Sequence, residues 1–192
     1  MADAESGKEV VHKLIPPPEG ELAYKIFIHA QRFGKAALFM GEQLKGGDLD
    51  FALPCAVMGA FVLELYLKCL VSIETGKPPP EKHEFSILFD SLSQASKSKI
   101  KDFFDQNPPA IRKQFEAGIF PGKTPEEVEF LKKMDVSFEG LLKAAENSFQ
   151  QFRYACEEKM VKKPPSFQMG PMIQGVINVI EEHRPNWVRQ GK

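Results

Sequence analysis

Two charged residues stand inside the longest apolar run of the chain, and their spacing is that of a helical ion pair. The run spans residues 51–73, reads FALPCAVMGAFVLELYLKCLVSI, and contains only Glu64 and Lys68 as charges. On a helix the acid would lie one turn before the base on the same face, which is the favourable order. Such an apolar helix is expected to be a buried spine, so the pair must be satisfied internally or by a neighbouring element. It is either a structural pair that fixes helix register or part of a pocket or dimer-interface site.

A second pair with the same spacing, Arg153 and Glu157, lies in the last quarter of the chain. A guanidinium suits bidentate phosphate contact, but it serves equally well as the partner of a carboxylate. Lys159, Lys162 and Lys163 follow closely. This basic run is typical of a solvated helix end, where positive charge is favourable; the alternative is contact with an RNA backbone.

The histidines are scattered and do not predict a metal centre. His83 follows the proline-rich turn 77–82, so it is a candidate ligand-binding side chain or a simple cap or surface residue. His29 and Arg32 stand three residues apart. No H-x-x-x-H spacing, glycine-rich phosphate loop or G-x-S-x-G motif occurs. The sequence therefore predicts no cofactor and no metal.

Composition limits the class of protein. The net charge of −1 gives no global signature of a nucleic-acid binder, although a local patch remains open. Three cysteines without C-x-x-C spacing are typical of free thiols in a reducing cytosol. No secretion signal is expected, because residues 1–13 are charged and lack an apolar stretch. The apolar run has only 13 uncharged residues before Glu64 and contains Pro54, so no membrane span is expected.

Helical periodicity organises most of the chain. Apolar residues recur at spacings of three and four over about 21–44, and the spine follows, capped by Asp48 or Asp50 and ending near Gly76. A short helix is expected after His83 and weak helical segments over 93–122. Thr124-Pro125-Glu126-Glu127 predicts the start of a long helix that continues to about residue 159. The last helix is expected at about 169–183.

These segments predict an all-α fold without strands. The expected architecture is an antiparallel bundle of four to five main helices with short extra helices, since short connections favour antiparallel neighbours. Residues 1–20 are expected to form a flexible arm, 21–185 the bundle, and 186–192 a C-terminal tail.

Three motifs together resemble those of the HEPN-domain superfamily. The stretch Phe61-Val62-Leu63-Glu64-Leu65-Tyr66-Leu67-Lys68 is similar to the E-L-x-L-K of the family's second helix. The segment His83-Glu84-Phe85 is similar to the H-x-F that opens its third helix, and Arg153-Tyr154-Ala155-Cys156-Glu157 to its late R-Y-x-x-E. The resemblance implies a helical bundle that forms a homodimer. It also implies Glu64, Lys68, His83 and Arg153 as site residues.

The chain departs from the family's ribonuclease motif, an Arg followed four to six residues later by a His. No arginine here has a histidine at that distance, and after Arg153 those positions hold Glu157, Glu158 and Lys159. The ribonuclease activity is therefore not carried over. The resemblance favours a cytoplasmic binding or assembly module for RNA or a nucleotide, in a bacterial defence or toxin–antitoxin-type system. The alternatives are a divergent metal-independent ribonuclease that uses His83 or His29, and a protein-interaction bundle with a protein partner.

Overall fold

The computed structural model describes residues 21–120, 122, 124–152 and 169–189, and in these residues the fold is all-α. The expected all-α fold class is confirmed. The helices are, in chain order, α1 Leu22–Lys45, α2 Ala52–Thr75, α3 Phe85–Asp90, α4 Gln94–Gln106, α5 Ala110–Ala117, α6 Pro125–Leu131, α7 Phe138–Phe152, α8 Gly170–His183 and α9 Pro185–Arg189.

The first two helices form an antiparallel hairpin. The thiol of Cys69 lies 3.3 Å from the Ala23 carbonyl oxygen at one end, and the Cys55 thiol lies 3.7 Å from the Ala37 carbonyl oxygen at the other. As the residue number rises along α2, the number of the residue it contacts on α1 falls by the same amount. This is the register of two antiparallel helices. A short 3-10 turn, Leu49–Phe51, connects them.

Helix α2 is the central helix, as its composition predicts. It packs against α1 on one side and against α3, α7 and α8 on the others. Met169 lies against Gly59 at the start of α8, and His183 approaches Glu74 at its end, so α8 runs parallel to α2. The expected antiparallel arrangement therefore does not hold for this pair of helices, which are distant in sequence and are not joined by a short connection. The largest fully buried side chains come from α1, α2, α3, α4 and α8, and they include Phe27, Leu63, Leu67, Phe85, Phe104 and Ile180.

Length and composition would also allow α2 to cross a membrane. Of its most apolar 18-residue window, however, 56% is buried inside the structure. The core helix of a soluble protein passes the same test of length and hydropathy. The expectation of no membrane span stays a prediction.

The prediction of a single helix from Thr124 to about residue 159 is wrong. The structure has two helices, α6 and α7, separated by residues 132–137. The Asp135 carboxylate accepts a hydrogen bond from the Ser137 backbone N–H, and the Ser137 hydroxyl accepts one from the Gly140 N–H. These local bonds cap a new helix at Phe138 and offer the backbone an alternative to continuing α6. The expected continuation beyond residue 152 lies outside the described residues.

The bounds of other helices also differ from those expected from the sequence. Asp48 does not cap α2; its carboxylate accepts from the Asp50 N–H, and α2 begins after Phe51. The weak segment after residue 93 contains a 13-residue helix, α4, which the Ser93 hydroxyl caps. In the region assigned to a tail, α9 places Trp187, 9% exposed, against the ring of Phe27.

Candidate functional site

Glu64 is buried on the face of α2 that turns away from α1. Val62, Tyr66 and Cys69 face α1, because they contact Gly34, Phe27 and Ala23 respectively. Residues of a helix are 100° apart, so Glu64 lies on the opposite side of α2. Its side chain is 3% exposed. A carboxylate in such a place requires polar partners.

Two side-chain nitrogen atoms contact the same oxygen of that carboxylate. Lys68 Nζ lies 2.8 Å from Glu64 Oε1, and His83 Nδ1 lies 2.8 Å from the same atom. The first contact is the helical pair expected from the sequence, and the second comes from the turn before α3. The burial of Glu64 requires a polar group from another element, and His83 is that group.

The other carboxylate oxygen, Glu64 Oε2, is buried and has no hydrogen-bond partner among the described residues. The same holds for the hydroxyl of Ser72, two helical turns further along α2. Unpaired buried polar atoms are uncommon in folded proteins and are concentrated at functional or strained positions. Among the described residues, Glu64 is thus held through one of its two oxygens.

His83 is positioned by the turn that ends α2. Gly76 adopts a left-handed backbone conformation with φ of 66° and closes α2. The prolines that follow leave the chain extended, and α3 begins at Phe85. The His83 side chain remains 66% exposed although its Nδ1 contacts a buried carboxylate. Because a carboxylate only accepts hydrogen bonds, Nδ1 carries a proton and Nε2 is the ring nitrogen left for a ligand.

A further hydrogen bond fixes the helix beside this histidine. Ser86 donates to Glu146 Oε2 of α7 from its backbone N–H at 3.1 Å and from its hydroxyl at 2.9 Å. The backbone N–H belongs to the first turn of α3, where no intrahelical acceptor exists. Glu146 therefore anchors the start of α3 to α7. No sequence signal identifies this contact, because the two residues are 60 positions apart.

A second carboxylate flanks the imidazole. Glu84 accepts a hydrogen bond from the His83 backbone N–H at 3.1 Å. Hydrogen bonds from its own backbone N–H and from that of His83 hold the pKa of Glu84 below its ordinary value. It is therefore a fixed negative charge next to His83.

The structure describes only some of the remaining sequence candidates. Arg153, Glu157, Lys159, Lys162 and Lys163 lie outside the described residues. His29 and Arg32 are exposed on α1, on the far side of α2 from Glu64. The alternative in which His29 supplies the histidine missing beside Arg153 stays a prediction, because Arg153 lies outside the described residues.

Reasoning from the sequence missed a second polar cluster, at the C-terminal end of α2. Glu74 accepts hydrogen bonds from the backbone N–H and hydroxyl of Ser93 and from the hydroxyl of Ser96, and His183 Nε2 lies 4.0 Å away. Burial alone would raise the pKa of Glu74, but the bonds from Ser96 and Ser93 and the nearby His183 bring it below its ordinary value. This cluster ties α2, α4 and α8 together.

Other chemistry finds little support in the described residues. They contain no group of three His, Cys, Asp or Glu side chains placed to hold a metal ion. Burial, with a smaller contribution from Glu21, raises the pKa of the Cys69 thiol to about 12, although Arg184 lowers it slightly. A thiol of that pKa is not a nucleophile near neutral pH.

Comparison with protein-family models, with curated proteins and with solved structures gives no significant match. The resemblance to the HEPN superfamily therefore rests on the sequence motifs alone.

Proposed function

We propose that the chain is a HEPN-like helical binding module that contacts a phosphate group of RNA or of a nucleotide through His83 and Lys68. The observation that supports this most directly is the 2.8 Å contact between His83 Nδ1 and Glu64 Oε1. It fixes the ring of an exposed histidine by a buried anchor and leaves Nε2 available. When both ring nitrogens are protonated, Nε2 donates to a phosphate oxygen.

Lys68 adds a partly accessible cation beside the ring. Its side chain is 15% exposed, and its ammonium group already contacts Glu64. An ammonium group has three N–H donors, so that contact leaves donors for a phosphate oxygen. Glu64 thus neutralises one charge and orients two donors, while Glu84 opposes a bound anion.

Binding of nucleoside 5′-monophosphates by titration calorimetry tests this proposal. His83→Gln is expected to weaken binding at least tenfold, because it removes the exposed ring nitrogen. Glu84→Gln is expected to strengthen it, because it removes a nearby negative charge. His183→Gln is the matched control, since it removes an imidazole beside a different carboxylate, Glu74. No measurable binding at low salt, or equal loss in the control, would reject the proposal.

One observation favours a second candidate function, the divergent metal-independent ribonuclease. A carboxylate that accepts from Nδ1 also orients a histidine as a general base at Nε2. In such a reaction Nε2 would take the proton of a 2′-hydroxyl while its oxygen attacks phosphorus. The bond from phosphorus to the 5′-oxygen would break, the departing oxygen would take a proton from water, and Nε2 would return its proton to the solvent. Lys68 would stabilise charge on the phosphoryl oxygens.

The ribonuclease candidate has its own assay. RNA should be cleaved in the presence of EDTA and should yield 2′,3′-cyclic phosphate ends, and DNA should stay intact because it lacks the attacking hydroxyl. His83→Gln should abolish cleavage and His183→Gln should not. Cleavage that survives His83→Gln, or no cleavage at all, would exclude His83 as the base.

The resemblance extends the proposal to a cytoplasmic homodimer in a bacterial defence or toxin–antitoxin-type system. Several large apolar side chains are exposed on the first hairpin, among them Leu38, 71% exposed, and Leu53, 38% exposed. They favour an interface either between copies of the chain or with a protein partner. Light scattering on the purified chain separates these cases, since a monomeric mass would remove the homodimer.

A further inference from the structure

The outward face of α1 carries a row of positive charges that form no ion pair within the described part of the chain. Lys25, Arg32 and Lys35 are exposed, and none of them forms an ion pair with another described residue. Residues 22–41 contain no acidic side chain. Among the residues that the structure describes, no acid pairs with this part of α1, which therefore presents positive charge in a chain whose net charge is −1.

The acids that border this row are already engaged. Glu21, at the N-terminal end of α1, pairs with Arg184, and Glu42 pairs with Lys45. Neither is free to neutralise the row. A charged helix face is often only a solvated surface, so the row needs a second feature to indicate a ligand.

That feature is an aromatic ring in line with the charges. Lys25, Arg32 and Phe39 follow one another at intervals of seven residues, which places them on one line along the helix. At a rise of about 1.5 Å per residue, the line is about 21 Å long. Phe39 is 60% exposed, and the ring of Phe51 packs edge-on against it with centroids 6.3 Å apart. The ring is therefore held in place while much of it remains open.

We propose that this face, formed by Lys25, Arg32, Lys35 and Phe39, binds single-stranded nucleic acid. A line of cations that ends in an open aromatic ring is the arrangement used to track a sugar–phosphate backbone and stack a base. The inference does not depend on the Glu64 site, which lies on the other side of α2.

Charge and burial argue against two other occupants. A second copy of the chain would bring the same unpaired cations together, which is repulsive. A membrane-surface helix inserts a continuous apolar face, and the apolar face of α1 is already buried, with Phe27 and Ala30 at 1% and 0% exposure.

The test uses fluorescence anisotropy with labelled oligo-U and oligo-dT of 4, 8 and 12 nucleotides on the full chain. The triple variant Lys25→Gln/Arg32→Gln/Lys35→Gln removes three charges from the face. Its matched control, Lys113→Gln/Lys132→Gln/Lys133→Gln, removes three exposed lysine charges from the α5–α6 region and its following turn. Both substitute exposed side chains, and circular dichroism checks that both fold.

The face variant is expected to bind the 12-mers at least tenfold more weakly at about 50 mM salt. Its slope of log affinity against log salt should fall by about 2, since each lost phosphate contact contributes roughly 0.7 for a single strand. Phe39→Ala should weaken binding about tenfold with an unchanged salt slope, because stacking is not ionic. Oligo-U and oligo-dT should behave alike, since the contacts are to phosphates and base faces.

Equal affinities of the face variant and its control would overturn the inference. So would binding to anionic phosphatidylserine vesicles without binding to oligonucleotides. The face variant should keep the parent's affinity for nucleoside 5′-monophosphates, because none of its three substituted residues lies at the Glu64 site. Loss of mononucleotide binding therefore reports on the Glu64 site, and loss of length-dependent binding reports on α1.

Discussion

Glu64 Oε1 is shared by two side chains, Lys68 Nζ and His83 Nδ1, each at 2.8 Å. One of these contacts lies within a helix and the other crosses a turn that contains three prolines. The shared oxygen joins the central helix of the bundle to the start of α3. It also sets the orientation of the only imidazole that contacts a carboxylate on this face of α2 among the described residues.

Removing one partner of the buried pair should be costly, and removing both should not be. Glu64→Leu leaves the Lys68 ammonium, 15% exposed, without its carboxylate; we expect a loss of about 3 kcal/mol in the free energy of unfolding. The double variant Glu64→Leu/Lys68→Met should come within about 1 kcal/mol of the parent, since an apolar pair of similar volume suits a buried site. Urea unfolding of Glu64→Leu, Lys68→Met and the double variant measures the coupling. Additive effects would show that the pair does not interact.

The turn before α7 depends on a glycine. A Cβ on Gly140 would stand 2.3 Å from Asp135 Cγ and 2.5 Å from the Asp135 carbonyl oxygen. Gly140→Ala should therefore cost about 1–3 kcal/mol of unfolding free energy, because the capping residue must move. Gly41→Ala is the matched control: a Cβ there meets nothing within 4 Å, and in a helix interior it should stabilise by about 0.5–1 kcal/mol. Thermal unfolding that shifts both variants in the same direction would contradict this description of the turn.

The Glu74 cluster should make stability depend on pH in the acid range. Despite burial, hydrogen bonds from Ser96 and Ser93 hold the pKa of Glu74 below its ordinary value of 4.5. A depressed pKa in the folded state stabilises the protein above the unfolded pKa, and this stability is lost as the pH falls through the folded pKa. Glu74→Gln should therefore destabilise the chain at pH 7, and the difference from the parent should shrink below about pH 4.5.

Urea unfolding at pH 7, 5, 4 and 3 follows that difference. Glu81→Gln, an exposed carboxylate in the proline turn, is the control of equal charge change. A Glu74→Gln deficit that is constant with pH would show that the carboxylate does not titrate with folding.

The Cys69 thiol should be inert until the bundle opens. Its pKa of about 12, raised mainly by burial, leaves almost no thiolate near neutral pH. In a Cys55→Ala/Cys156→Ala background, we expect its reaction with a thiol reagent to follow global unfolding, and urea should accelerate both alike. Fast labelling of the folded chain would mean that the α1–α2 contact near Ala23 opens locally.

The parts of the structure that the sequence predicts are those that local patterns specify. The central helix and its Glu64–Lys68 pair follow from an apolar run and an i,i+4 spacing. The break after α6 could not be predicted, because apolar periodicity continues through Met134 and Phe138 while the Asp135 and Ser137 caps end the helix. Caps act over a few residues and compete with the longer pattern.

The candidate site likewise has a part that the sequence predicts and a part that it does not. His83 is a candidate from the sequence by resemblance, but nothing in the residues 65–82 indicates that its Nδ1 reaches Glu64 across the turn. The contact from Ser86 to Glu146 joins positions 60 residues apart and is a product of tertiary packing alone. Contacts of this kind carry no local signal in one sequence.

The most direct test of the site is the imidazole nitrogen spectrum of the folded chain during titration with a nucleoside 5′-monophosphate. We predict that the Nε2 resonance of His83 shifts saturably, while its Nδ1 stays hydrogen-bonded to Glu64 and the resonances of His29 and His183 do not move. An unchanged His83 Nε2 at millimolar nucleotide and low salt would contradict the proposal that this histidine contacts phosphate.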